Sequence, residues 1–186
     1  MKKIVLIAAA SLLSVAAFAQ PKFAHVNYAE LVQLMPEADE ARAALEASNK
    51  EIQETYAAMV EEYNTKYAAY QQKQSTWTPA IRETKEKEIQ SIVTRIQEFE
   101  QSIQTELQQQ QQTLMAPIQK KAADVVNKLA KEGGYIYVFD ANVPLYIDAS
   151  QSVDLTPAAR KALNIPEGRT LETLQQELAA KASAQE

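Results

Sequence analysis

The 186-residue sequence has no cysteine, a single histidine and only three glycines. Without cysteine there is no disulfide framework and no thiol nucleophile. One histidine, His25, does not make a metal site, because such a site needs several convergent ligands. The glycines, Gly133, Gly134 and Gly168, do not form a phosphate-binding loop. We therefore expect no enzyme activity, no metal and no cofactor.

The N-terminus has the pattern of an export signal. Lys2 and Lys3 precede an apolar run at 4–17, and small residues that suit a cleavage site follow, up to Ala19. The run is too short to span a bilayer, which takes about 20 apolar residues, so a cleaved signal is favoured over a membrane anchor. We predict that residues 1–19 are removed. The remaining chain has 17 basic and 24 acidic residues, a net charge of −7, which argues against general nucleic-acid binding.

The longest uniform stretch, 37–132, contains no glycine, and its apolar residues recur at heptad spacings. Isoleucines at 89, 96 and 103 mark one such seam, which is typical of a coiled coil. Thr78 and Pro79 interrupt the pattern with the residues that begin a helix, a capping hydroxyl and a proline at the first position. A short loop between two helices favours an antiparallel pair. We predict a helical-hairpin arm with its tip near 75–80.

Aromatic residues are concentrated on the first half of this arm and at its tip. The candidates for contacting a client share a ring or a flexible thioether: Tyr56, Met59, Tyr63, Tyr67, Tyr70 and Trp77. Tyr56, Met59 and Tyr63 also fit the seam, where they would face the second helix instead of a partner. Tyr67 and Trp77 lie off the seam and are the better candidates for an exposed surface. Pro117, in the interior of the second helix, is a candidate hinge because it removes one backbone hydrogen bond.

The segments on either side of the arm favour β-structure. Residues 20–36 are predicted as a first strand and a short helix, and 133–165 as a β-hairpin, with strands at 135–139 and 145–147, and a second short helix. A helical extension follows at 166–186. Three short strands do not make a stable sheet alone, and exposed edges favour oligomerisation. The predicted fold class is α+β, mostly α: a long antiparallel coiled-coil arm on a small β body. The candidate body and subunit-contact residues are Phe23, Val26, Ile136, Val138, Asp140, Asn142 and Tyr146.

Two short motifs resemble the Skp/OmpH family of periplasmic chaperones. They are Val-Phe-Asp-Ala-Asn at 138–142, followed by Tyr146, and Val-Asp-Leu-Thr at 153–156. The resemblance covers residue 22 to about 163. It implies a homotrimer shaped like a jellyfish, in which strands of three subunits form the body and three arms enclose a cavity. It also implies an ATP-independent periplasmic holdase whose partners are unfolded outer membrane β-barrel proteins.

A structural coiled-coil protein of the envelope, a spacer or adaptor without chaperone activity, is the alternative. It would share the export signal and the arm but would not need the Asp-Ala-Asn motif. The acidic charge argues against carrying over the binding of lipopolysaccharide or anionic membranes from the basic members of the family.

Overall fold

A computed structural model describes residues 21–184, so the predicted signal peptide lies outside the described residues. The chain forms two compact units. One consists of residues 37–117, and the other combines the segments on either side of it. In the described part of the chain, the helices lack the combination of length and apolar character that a membrane span requires.

The helical arm is built from two long helices. Helix α2 spans Pro36–Lys73 and helix α3 spans Pro79–Gly133. The predicted break is confirmed: the Thr78 hydroxyl accepts a hydrogen bond from the Ile81 amide at 3.4 Å, and Pro79 is the first helical residue. The remaining turn residues, 74–77, separate the two helices.

Contacts between the two helices establish their direction. Arg95 of α3 donates to Glu62 of α2 at 2.5 Å, and the Tyr70 hydroxyl of α2 donates to Glu86 of α3. As the position in α2 advances from 62 to 70, its partner in α3 retreats from 95 to 86. The helices are therefore antiparallel, as the short turn predicts, and the fold class is confirmed as mostly α with a small sheet.

The other unit contains a three-stranded sheet in the order β2-β1-β3. Strand β1 is Lys22–Val26, β2 is Tyr135–Asp140 and β3 is Ser152–Asp154. Both outer strands run parallel to β1. The short helices α1, Tyr28–Leu34, and α4, Thr156–Ala162, follow β1 and β3, and α5 spans Leu171–Ser183.

The predicted β-hairpin is wrong. Residues 145–147 do not form a strand, and β2 pairs with β1 and not with the segment that follows it. Parallel strands cannot be joined by a tight turn, because the chain has to return to the starting end of the sheet. Residues 141–151 make this return and lead to the other side of β1. The apolar residues at 145–147, which have the composition of a strand, belong to this connection.

The core of this unit lies between the sheet and the helices. Ala24 and Val26 of β1 are buried, whereas Phe23 and His25 on the opposite face are only half-buried. Helix α5 packs against α1. The buried side chains of this unit are Ala24, Val26, Leu31, Val32, Leu34, Met35, Ile118, Ala122, Val126, Leu155, Thr156, Ala159, Leu163, Ile165 and Leu174.

Candidate functional site

The face of the sheet that is turned away from this core carries a row of aromatic rings. In the parallel register Phe23 lies beside Tyr137 and His25 beside Phe139, so their side chains share that face. The rings of Phe23 and Tyr137 are stacked with centroids 6.4 Å apart, and those of Tyr137 and Phe139 are 6.0 Å apart. Tyr137 is 60% exposed and Phe139 is 47% exposed. The sheet thus presents an apolar surface that is only partly covered within the described chain.

The connection at 141–151, which we call the apolar loop, extends this surface. Val143, Leu145 and Tyr146 are 78%, 107% and 80% exposed. An open cavity of about 330 Å³ separates the loop from the sheet face, and Tyr146 lines it together with His25 and other residues. Contiguous exposed apolar surface is typical of an interaction site. Sequence reasoning missed Tyr137 and Phe139, because only the parallel register shows which residues share the open face. It missed Leu145 because it placed this residue in a strand.

The remaining body candidates have other surroundings. Val26 is buried, and it lines a second cavity of about 260 Å³ together with Val138 of β2 and Val126 of α3. Ile136 is 56% exposed. His25 Nδ1 lies 2.9 Å from the Ser152 hydroxyl, so a neighbouring strand satisfies this nitrogen. The structure therefore separates core residues of the body from residues that are available for contact.

The Asp-Ala-Asn motif forms a turn that is tied to the end of β1. Asp140 Oδ1 accepts hydrogen bonds from the backbone amide of Asn142 at 3.0 Å and from its side-chain amide at 3.1 Å. The same side-chain amide donates to Asn27 Oδ1 at 3.0 Å. Asn27 is also the N-cap of α1, because its side chain accepts a hydrogen bond from the Glu30 amide at 3.1 Å. Asp140 and Asn142 therefore position the start of the apolar loop.

The second motif holds the other side of the sheet. Asp154 Oδ1 accepts from the Thr156 amide at 2.8 Å, and the Thr156 hydroxyl accepts from the Asn27 amide at 3.0 Å. Both motifs thus meet at the C-terminal end of β1. This arrangement explains why these residue types occur at these spacings: each side chain closes a turn next to a strand end.

On the arm, the candidate aromatic residues form two ring contacts. The rings of Tyr63 and Tyr67 are stacked with centroids 5.6 Å apart, and the Tyr70 and Trp77 rings meet edge to face at 5.9 Å. Tyr67 is 42% exposed and Tyr56 is 38% exposed. Met59, Tyr63, Tyr70 and Trp77 are half-buried. The arm therefore exposes several ring surfaces without exposing one large apolar patch.

Tyr70 is anchored to α3 by its hydroxyl group, and Tyr56 interacts with a glutamate of the same helix. The hydrogen bond to Glu86 raises the pKa of Tyr70, and a hydrogen bond with Glu100 raises the pKa of Tyr56, because a carboxylate acceptor favours the neutral phenol. A hydroxyl that is already bonded within the arm does not require a partner. The ring surface is then the part of each tyrosine that remains available for contact.

An ion-pair cluster also links the two helices of the arm. Lys85 Nζ lies 2.8 Å from one oxygen of Glu88, and Lys66 Nζ of α2 lies 3.6 Å from the other. The hydrogen bond from Lys85 is the main reason that the pKa of Glu88 is lowered. Helix α3 continues through Pro117, which is also the last residue of the arm unit.

Comparison with known proteins relates this architecture to a family. Residues 22–163 match the family described as outer membrane protein (OmpH-like). The chain belongs to the OmpH-like family. The predicted resemblance is thereby confirmed, and it places the chain in a family of periplasmic chaperones. Residues 164–184 lie beyond the matched span.

A solved structure shares the fold of this OmpH-like chain. It comes from Caulobacter crescentus CB15 and is described as a candidate outer membrane chaperone (OmpH-like). The similarity has a TM-score of 0.69 at 14% sequence identity and covers 78% of this chain and 85% of the other. No curated protein matches this chain.

Proposed function

We propose that the protein is an ATP-independent periplasmic holdase, which binds unfolded outer membrane β-barrel proteins and prevents their aggregation. Membership of the OmpH-like family supports the chaperone role. The observation that carries the proposal is the set of half-exposed rings on the arm, among which the Tyr70 hydroxyl is bonded to Glu86 of α3.

The chemistry of such a surface fits an unfolded membrane-barrel client. Strands of these barrels alternate apolar and polar residues and carry aromatic residues at both membrane interfaces. A surface of separate rings makes many weak apolar contacts and does not require one client sequence. The client-contact residues that we propose are Tyr56, Met59, Tyr63, Tyr67, Tyr70 and Trp77. No nucleotide is needed, because equilibrium binding alone keeps a client from aggregating.

We propose that three copies of the chain form the working unit. Both outer strands of the sheet pair only with β1 within the described chain, so both edges are open. Open strand edges make an isolated subunit prone to aggregation. The exposed sheet face with Phe23, Tyr137 and Phe139, which we call the ring face, has the same effect, and association of subunits covers both. The subunit contacts that we propose are the ring face, Ile136 and the apolar loop. The threefold number rests on the family resemblance, which also implies that the arms enclose the client.

Pro117 is the proposed hinge of each arm. A proline in a helix interior lacks one backbone hydrogen bond, so bending costs less there than elsewhere in α3. A bend at this position would let the cavity between the arms adapt to clients of different size.

Trp77 provides a direct test, because it is the only tryptophan of the chain. A urea-unfolded outer membrane protein whose tryptophans are replaced by phenylalanine is diluted into the native protein, and Trp77 emission is recorded. We expect a saturable change in emission in the absence of nucleotide. A folded soluble protein of similar size is the control and should produce no change. Unaltered emission together with unimpeded client aggregation would favour the structural spacer.

A further inference from the structure

We propose that residues 164–184, which we call the strap, hold the apolar loop in position through Arg160. The strap would thereby support the surface with which subunits contact each other. The second part of this inference rests on the proposed function, because it takes the apolar loop as a subunit contact. The first part concerns the strap, Arg160 and the loop alone.

The strap is docked on the body by apolar side chains and by a capped helix. Ile165 and Leu174 are each 5% exposed. Thr170 and Thr173 form a capping box at the start of α5, with hydrogen bonds of 3.1 and 2.9 Å between side chains and backbone amides. A 13-residue helix is only marginally stable alone in water. Its contact with α1 therefore explains its order.

Arg160 ties the strap to the body. Its guanidinium donates through Nη2 to the backbone carbonyl of Pro166 at 3.2 Å and to that of Arg169. Through Nη1 it donates to Glu30 Oε1 of α1 at 2.5 Å. The side chains of Arg160 and Glu30 are only 17% and 23% exposed. A rigid guanidinium suits this position, because it can bond two carbonyls of the strap and one carboxylate of the body at the same time.

Hydrogen bonds continue from Glu30 to the apolar loop. Glu30 Oε2 accepts from the side-chain amide of Asn27 at 3.1 Å, and Asn27 Oδ1 accepts from the side-chain amide of Asn142 at 3.0 Å. Asn142 belongs to the loop, and the adjacent Ala141 amide donates to the Val26 carbonyl at 2.8 Å. An unbroken series of polar contacts therefore leads from the strap, through α1 and the end of β1, to the loop.

This series of hydrogen bonds links a segment outside the span matched by the family to the motifs inside that span. The residues that form the two motifs lie within the span matched by the family, whereas the strap lies beyond it. A polar network is more stable when every member is satisfied, since each unpaired buried group is costly. Removing the strap leaves two donors of Arg160 without their carbonyl acceptors and frees the guanidinium to leave Glu30. The loop should then become more mobile even though no residue of the loop has changed.

Hydrogen exchange of the native protein, followed by nuclear magnetic resonance, tests this coupling. In Arg160→Met we expect the Ala141 amide to exchange about tenfold faster, as the loss of a charge-assisted hydrogen bond would give. Deletion of 164–186, which removes the carbonyls of both Pro166 and Arg169, should produce a similar increase. Because both changes act through one network, the combined variant should exchange no faster than either alone. Arg160→Lys, which can still pair with Glu30, should recover part of the protection.

Arg95→Met is the matched control, because it removes an arginine–carboxylate pair of the same 2.5 Å length from the arm. It should leave Ala141 exchange unchanged. The inference is overturned if Arg160→Met leaves Ala141 exchange unaltered, or if its effect and that of the deletion simply add. If the deletion variant does not fold, Arg160→Met and Arg160→Lys in the full chain still decide the question.

The test is independent of client binding. Coupling between the strap and the loop in a protein that does not hold clients would contradict only the proposed function. The rate of subunit exchange, measured after mixing two differently labelled samples of each variant, completes the test. If the loop is a subunit contact, variants with faster hydrogen exchange at Ala141 should also exchange subunits between oligomers faster. Unchanged subunit exchange would overturn the second part of the inference and leave the first intact.

Discussion

The exposure of Leu145 allows a quantitative prediction for Leu145→Ser. Leu145 is 107% exposed in the single chain, so its replacement should leave the fold of the subunit unchanged. If three subunits bury this side chain on association, each substitution should cost ~2 kcal/mol, the free energy of burying a leucine. Three substitutions would then destabilise one trimer by ~6 kcal/mol, or about four orders of magnitude in its dissociation constant.

The assay is sedimentation over a dilution series. For three monomers in equilibrium with one trimer, the midpoint concentration varies as the square root of the dissociation constant. The midpoint for Leu145→Ser should therefore lie at a concentration about 100-fold higher than that of the unaltered protein. Circular dichroism should show the same helix content for both. Ile81→Ser is the control, since Ile81 is also exposed, at 45%, but belongs to the arm. An unchanged midpoint for Leu145→Ser would exclude the apolar loop from the subunit contact.

Three further predictions concern the arm. Replacing Tyr67 and Trp77 together by serine should weaken client holding without loss of helicity, as measured by light scattering and circular dichroism; undiminished holding would remove both from the contact surface. Pro117→Ala should stabilise α3, by up to ~3 kcal/mol, and narrow the distribution of distances between spin labels placed on the two units; an unaltered distribution would reject the hinge. Glu88 should give the arm a pH-dependent stability, because Lys85 lowers its pKa below the ordinary value of 4.5. The contribution of ionised Glu88 to the stability of the arm should be complete above pH 4.5 and be lost as the pH falls through the lowered pKa. Glu88→Gln should therefore make the melting temperature depend less steeply on pH in the acid range. An equally steep dependence would contradict this role.

The arm could be predicted from the sequence because its signals are local. A capping residue followed by proline, at Thr78 and Pro79, is sufficient to begin a helix wherever the segment lies. The N-cap at Asn27 is local in the same way, since its side chain accepts a hydrogen bond from the Glu30 amide three residues later. Heptad spacing likewise indicates which side of a helix is apolar before any partner is known.

The sheet could not be predicted in the same way, because its pairing is non-local. Residues 145–147 have the composition of a strand, but they have no strand beside them. The short segment Ser152–Asp154 has a weak strand pattern, yet it pairs with β1 after the chain has returned through the apolar loop. Arg160 illustrates the same limit, since its partners Glu30 and Arg169 lie 130 and 9 residues away in sequence. A contact of this kind leaves no periodic pattern.

Light scattering during dilution of a urea-unfolded outer membrane β-barrel protein tests the central claim most directly. The measurement is made without nucleotide, with increasing amounts of the protein lacking residues 1–19. The account predicts that aggregation is suppressed and that suppression saturates near three chains per client. Aggregation that proceeds unhindered, while the added protein remains folded and helical, would contradict it.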